Sequence, residues 1–270
     1  MRIFISADIE GITGVVHGEQ CSPSGGAEYT RARLQMTKEV NAAARGFFAA
    51  GATQVVVNDS HGSMRNIYIE ELDPRVQLLS GSPKHLSMME GINADFDAVA
   101  FVGYHAKNGD FGVLSHTISG GTVHEILING EAASEAVINA AIAGDFKVPV
   151  IFLSGDQVIC EDIKKTLPNI TTAQVKEAVT RYSALHLPLE KAEALIESQA
   201  QKALENIEAC QVYIPQRPVT IDMVCHNSGL ADNASRTPGT KRIDGKTVRA
   251  EAPNFLEAFK LLRAMIALAN

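Results

Sequence analysis

Asp8 and Glu10 close the opening segment MRIFISADIE, at the exit of a run from Arg2 to Ser6 that reads as a buried strand. Residues two apart on a strand face the same way, so both carboxylates can aim at one target. A buried ionisable pair is costly unless satisfied, and a divalent metal satisfies it by cancelling the charge. The alternative is a strand end that opens into solvent with both acids facing water. Two further apolar, β-branched runs end in histidine. Residues 54–58 (QVVVN) lead into Asp59-Ser60-His61-Gly62, and residues 97–104 (DAVAFVGY) lead into His105. Ligands of open α/β sheets collect at the carboxyl ends of strands, so three such exits can converge. Imidazole together with carboxylate suits zinc or a similar borderline metal. A single histidine of this kind is more often structural; three polar exits together favour a metal centre.

Other chemistry-bearing residues follow His105. His116 lies eleven positions on, in GVLSH, on an extended segment that can return beside the preceding strand; its alternative is a surface or strand histidine. Glu135 falls in the first turns of an expected helix, where the dipole alone favours acids, and Glu131 competes with it on the same grounds. His124 and Glu125 are adjacent on a strand-like run and so face opposite ways. Asp59 or Asn58 can orient the His61 ring by accepting its far N–H, or can simply form an Asx turn. His17, His85, His186 and His226 show no partner pattern.

The elements that must position these residues alternate. After the first strand and a glycine-rich loop, a helix is expected over about 28–50, then strands near 53–58 and 97–104, with a short helical piece at 66–72 that leads to VQLLSG at 76–81. Residues 111–128 read as extended, a helix is expected over about 131–145, and PVIFLSGD at 149–156 reads as another strand. Residues 157–208 read as mostly helical, with an amphipathic run at 189–210. Strands follow at 217–225 and 246–252, and an apolar helix closes the chain. The pattern implies an α/β fold with a mixed or mostly parallel sheet flanked by helices, and a smaller carboxyl-terminal α+β part. Residues 1–156 form the expected metal-binding part and 157–270 the helical and α+β part, with a soft boundary that allows one shared core.

With 270 residues and 46% hydrophobic content the chain can bury a sizeable core. A net charge of −7 leaves no basic stripe for phosphates and argues against nucleic acid. No apolar run reaches the length of a membrane span, and the amino terminus reads as strand rather than secretory signal. Cys21, Cys160, Cys210 and Cys225 form no CxxC pair, so reduced thiols and a cytoplasmic location are expected.

The strings SADIEGITG, NDSHG at 58–62, GYHA at 103–106, GVLSHT at 112–117 and the SEAVINAA helix near 135 occur in one order across the chain. Together with the PGT segment at 238–240 they make the sequence resemble the zinc D-aminopeptidases of the DppA type. Only the loop at 17–26 lacks a close match. The resemblance implies a binuclear zinc site, two ions per subunit, in which Asp8 bridges and Glu10, His61, His105 and Glu135 complete the ligand set. It implies a catalytic role for His116, either as nucleophile or as general acid–base. It also implies removal of amino-terminal D-residues such as D-alanine from short peptides and amides, and a homodecameric ring stack. The ligand chemistry agrees independently: five protein ligands leave open positions for water, as catalytic zinc requires. Two other readings stay open at this point. One keeps the metals in an amidase, esterase or phosphatase, with Arg31, Arg33 and Lys107 as the nearby basic residues. The other is a peptide-binding accessory protein of dipeptide uptake.

Overall fold

The computed structural model describes residues 1–269. In chain order its strands are β1 (Arg2–Ala7), β2 (Gln54–Asp59), β3 (Val76–Leu79), β4 (Ala98–Tyr104), β5 (Val123–Ile128), β6 (Glu131–Ala132), β7 (Val150–Asp156), β8 (Thr171–Thr180), β9 (Ser183–His186), β10 (Val219–Cys225), β11 (Thr240–Arg242) and β12 (Thr247–Ala252). The α-helices are α1 (Ala27–Ala49), α2 (Glu135–Asp145), α3 (Gln157–Thr166), α4 (Leu189–Glu205), α5 (Ser228–Ala234) and α6 (Phe255–Ala269). The larger sheet has seven strands in the order β3-β2-β1-β4-β7-β8-β9. All its pairings are parallel except the β8–β9 hairpin. The second sheet, β11-β12-β10-β5-β6, is antiparallel. This is the mixed α/β class expected from the alternating pattern. None of the described helices is long and apolar enough to cross a membrane.

The two-residue period of β1 divides the core. Ile3, Ile5 and Ala7 join the layer formed by α1 and α4, whereas Phe4 points to the layer of α2, α3, α6 and the second sheet. Asp8 and Glu10 continue the period begun by Phe4 and Ser6. Beneath them, the Ser6 hydroxyl meets the Tyr104 hydroxyl at 2.7 Å, and the Asn139 amide donates to Tyr104 at 2.8 Å. This buried polar cluster is satisfied, so it fixes the floor without the cost of an unpaired group.

Three stretches differ from the sequence reading. Residues 157–208 are not mostly helical, because β8 and β9 interrupt them. Ala173 and Val175 alternate into the α1–α4 layer, and that two-residue burial outweighs the helix-forming lysine and glutamate around them. The helical piece at 66–72 is a single 3-10 turn, Ile69–Glu71. The helix expected from 131 begins at Glu135, because the Ser134 hydroxyl caps it through the Val137 N–H and Glu131–Ala132 are drawn into β6. The β7–β8 ladder crosses residue 156, and β5 and β6 pair into the sheet that holds β10 and β12.

Candidate metal centre

Because β2, β1 and β4 are adjacent and parallel, their carboxyl ends open on the same edge. Asp8 N–H donates to Val102 O at 2.8 Å and Gly11 N–H to Gly103 O at 2.7 Å, tying the exit of β1 to that of β4. Gly103 has φ +72, and a Cβ there would overlap the Asp8 carbonyl oxygen. Glycine is therefore required where β4 turns toward His105. Lys176, fully buried on β8, completes the anchoring: its ammonium donates to the carbonyls of Glu10, Ile12 and Val15 at 2.6, 3.0 and 2.7 Å. Burial pushes the pKa of this amine down to about 8.

The side chains at this edge fall into two halves around one carboxylate. Asp8 Oδ1 lies 3.2 Å from His61 Nδ1, and Glu10 Oε2 lies 3.0 Å from the same nitrogen. Asp8 Oδ2 lies 3.5 Å from His105 Nε2, and Glu135 Oε1 lies 3.4 Å from that nitrogen. Glu135 reaches the centre from the first turn of α2, held by the Ile118 N–H at 2.7 Å. His116 Nε2 stands 3.8 Å from Glu135 Oε1, with its ring stacked on His105 at a centroid distance of 4.2 Å.

Backbone carbonyls select the tautomers, since a carbonyl can only accept. Cys21 O is 2.7 Å from His61 Nε2, so that nitrogen carries a proton and Nδ1 turns to the carboxylates. Ala106 O is 2.9 Å from His105 Nδ1, and Leu114 O is 2.9 Å from His116 Nδ1. Both rings therefore present Nε2 inward. Glu10 Oε2 and His105 Nε2 are buried without a hydrogen-bond partner. Buried polar atoms left without a partner beside three carboxylates are what a divalent cation would satisfy, taking the place of the proton on the ring nitrogen. Donor atoms of Asp8, Glu10 and His105 lie within 4.8 Å of one another, as do those of His105, His116 and Glu135. The residues present thus fit a cation with nitrogen and oxygen ligands.

The electrostatics have the same origin. Burial, then Glu10, pushes Asp8 up to about 7. Burial alone would raise Glu10 and Glu135, but the facing histidines outweigh it and hold both carboxyls low. Burial would likewise depress the histidines, yet the carboxylates keep His61 well above its ordinary value and raise His105 to about 10.

The structure brings together Asp8, Glu10, His61, His105, His116 and Glu135, six residues singled out in the sequence. It leaves Glu131 exposed on β6 and His124 exposed on β5, beside His226. Asp59 does not orient the His61 ring. Its carboxylate instead accepts from the Asn66 side chain at 2.7 Å and the Ile67 N–H at 2.8 Å, shaping the loop after β2. Beside the centre lies a cavity of about 360 Å³ lined by Asp8, His61, His116, Glu135, Met88 and Arg263, among others. Arg31, Arg33 and Lys107 are elsewhere: Arg31 pairs with Glu28, Arg33 holds the Asn66 carbonyl, and Lys107 pairs with Asp110. Lys176 and Arg263 were not anticipated. Neither lies in a motif, and nothing local in the sequence ties β8 or α6 to the exits of β1, β2 and β4.

Comparison with known proteins decides the family. The D-aminopeptidase family model matches residues 1–264. The chain belongs to this family. It is 36% identical over 270 residues to the D-aminopeptidase of Bacillus subtilis (strain 168), covering 100% of this chain and 98% of that protein. Its fold matches that of the Zn-dependent D-aminopeptidase DppA from Bacillus subtilis, a self-compartmentalizing protease, with a TM-score of 0.96 and 35% identity, over 100% of this chain and 98% of the other. The family membership makes the protein a peptidase, and the match bears out the fold class expected from the sequence.

Proposed function

We propose that the centre is a binuclear zinc site that removes amino-terminal D-residues, such as D-alanine, from short peptides and amides. The observation that carries this reading is the split of Asp8: its two oxygens face different histidine–carboxylate pairs, as a bridging ligand must. Glu10 and His61 would hold one ion, His105 and Glu135 the other, with Asp8 shared. When bound, the zinc pair supplies Lewis acidity toward a carbonyl and an activated water at neutral pH.

The protein's own groups then have distinct tasks. The Cys21 and Ala106 carbonyls lock the His61 and His105 rings, so these ligands need not reorganise. The Ile118 N–H holds Glu135 in the same way. His116, whose side chain is more open to the cavity than that of His105, has Nε2 available for proton transfer. It takes the proton released as water attacks the scissile carbonyl and returns it to the departing amine nitrogen. The stack on His105 fixes the plane in which Nε2 can act.

Assembly in the cytoplasm as a homo-oligomer, a homodecamer by resemblance to the DppA type, is part of the proposal. Its support in this chain is apolar surface on the β8–β9 hairpin, where Val179, Tyr182 and Leu185 are exposed. The test of the activity is hydrolysis of D-alanine against L-alanine p-nitroanilide, with bound metal counted by elemental analysis. D-selective turnover that disappears with chelator is expected. Equal turnover of both isomers, or full activity in metal-free protein, would overturn the proposal.

A further inference from the structure

Arg263 stands in the wall of the cavity that His61, His116 and Glu135 also line. It projects from α6 on the face of Phe259 and Ile266, the apolar stripe of that helix. Among the described residues its guanidinium makes no hydrogen bond and no ion pair. Burial works against its charge and Glu135 works in its favour. Glu135 is nevertheless committed elsewhere, to the Ile118 N–H and His105, and Asp8 faces His61 and His105.

A guanidinium carries five donors and no acceptor, so its complement is an anion, best a carboxylate taking two parallel bonds. Among the described residues the cavity's carboxylates, Asp8 and Glu135, are taken, so the anion is one that arrives with the ligand. A short peptide has one at the end opposite its scissile amino-terminal residue. A volume of about 360 Å³ lies near the small end of the range for ligand sites, which suits a di- or tripeptide rather than a long chain.

The geometry points to Arg263 as the residue that binds the free terminal carboxylate of a short peptide whose amino-terminal residue lies at Asp8, His61 and His116. This rests on the D-aminopeptidase reading above. It makes the protein a di- or tripeptidase by charge recognition, because amidation or extension of the far end removes or displaces the anion. Met88, Ile118 and Ile266, in the same wall, supply apolar contact for small side chains.

The experiment compares D-Ala-D-Ala and D-Ala-D-Ala-D-Ala with their terminal amides, in the zinc-loaded wild type, Arg263→Gln and Arg263→Lys. The wild type should favour the free acid by about tenfold or more in kcat/KM at one of the two lengths, with the difference in KM, as one charge-assisted contact would give. Arg263→Gln should bring that ratio close to one, and Arg263→Lys should restore part of it. Wild type that hydrolyses acid and amide equally well at both lengths overturns the carboxylate site while leaving the D-aminopeptidase reading intact. Arg263→Gln that keeps the wild-type ratio overturns it as well. Should the wild type hydrolyse none of the four compounds, both readings fall together. The wild-type comparison decides the matter even if a variant does not fold.

Discussion

At Asp8 the two oxygens of one carboxylate face different histidines, so losing this side chain should affect both halves of the centre together. Asp8→Ala is expected to lose both metals, whereas Glu10→Ala should spare the half built on His105 and Glu135. Retention of two metals by Asp8→Ala, read by elemental analysis, would remove the bridging assignment. His116 behaves differently, because its proposed work is proton transfer at Nε2. His116→Ala should keep close to wild-type metal content while turnover falls by roughly 10²–10⁴, the range for a lost general acid–base group. Metal lost in step with activity would instead make His116 a ligand, which its 3.8 Å approach to Glu135 allows geometrically. Asp8, Glu10, His61 and His105 were legible at strand exits, where residue type and element period speak together, whereas His116 and Glu135 were set apart from their competitors only by the family resemblance. Arg263 was not legible, because nothing local in the sequence links α6 to the exits of β1, β2 and β4.

At the scale of elements, the loop after β1 depends on a cation from a distant strand. Lys176→Met would leave the carbonyls of Glu10, Ile12 and Val15 without their donor, at about 1–3 kcal/mol for each buried group left unsatisfied. A lower melting temperature and weaker zinc retention are expected; unchanged values for both would show that the loop holds itself. Glu39 on α1 gives a pH signature. It is buried and accepts the Thr13 N–H at 2.9 Å, and burial raises its carboxyl to about 7. A folded pKa above the unfolded one means that the folded state holds the proton more tightly. Its contribution to stability is therefore complete below the unfolded value near 4.5 and is lost as pH rises through about 7. Glu39→Gln should gain melting temperature relative to wild type on going from pH 5 to pH 8, and a constant difference would contradict the shift. Strands β1, β2, β4 and β7 were readable from short apolar runs, and α1 from the helix expected over about 28–50 and closed by Gly51. The β8–β9 hairpin was not, because its lysine and glutamate residues favour helix locally and only pairing with β7 makes it a strand.

For the whole molecule, the exposed apolar residues of the β8–β9 hairpin set an expectation about assembly. Val179 and Leu185 are 67% and 68% exposed, a cost in water that a subunit contact would remove. Native mass measurement should give a multimer, and Leu185→Asp should shift it toward smaller species. A wild type that is monomeric at working concentrations would contradict the oligomer. The central claim is that two zinc ions at the Asp8 centre carry D-specific hydrolysis. Its most direct test is to strip the protein with chelator and titrate zinc back while following D-alanine p-nitroanilide. Activity should return in proportion to zinc and level off at about two equivalents per chain, with the L-isomer left unhydrolysed. A plateau at one equivalent, or activity that returns without metal, would contradict it.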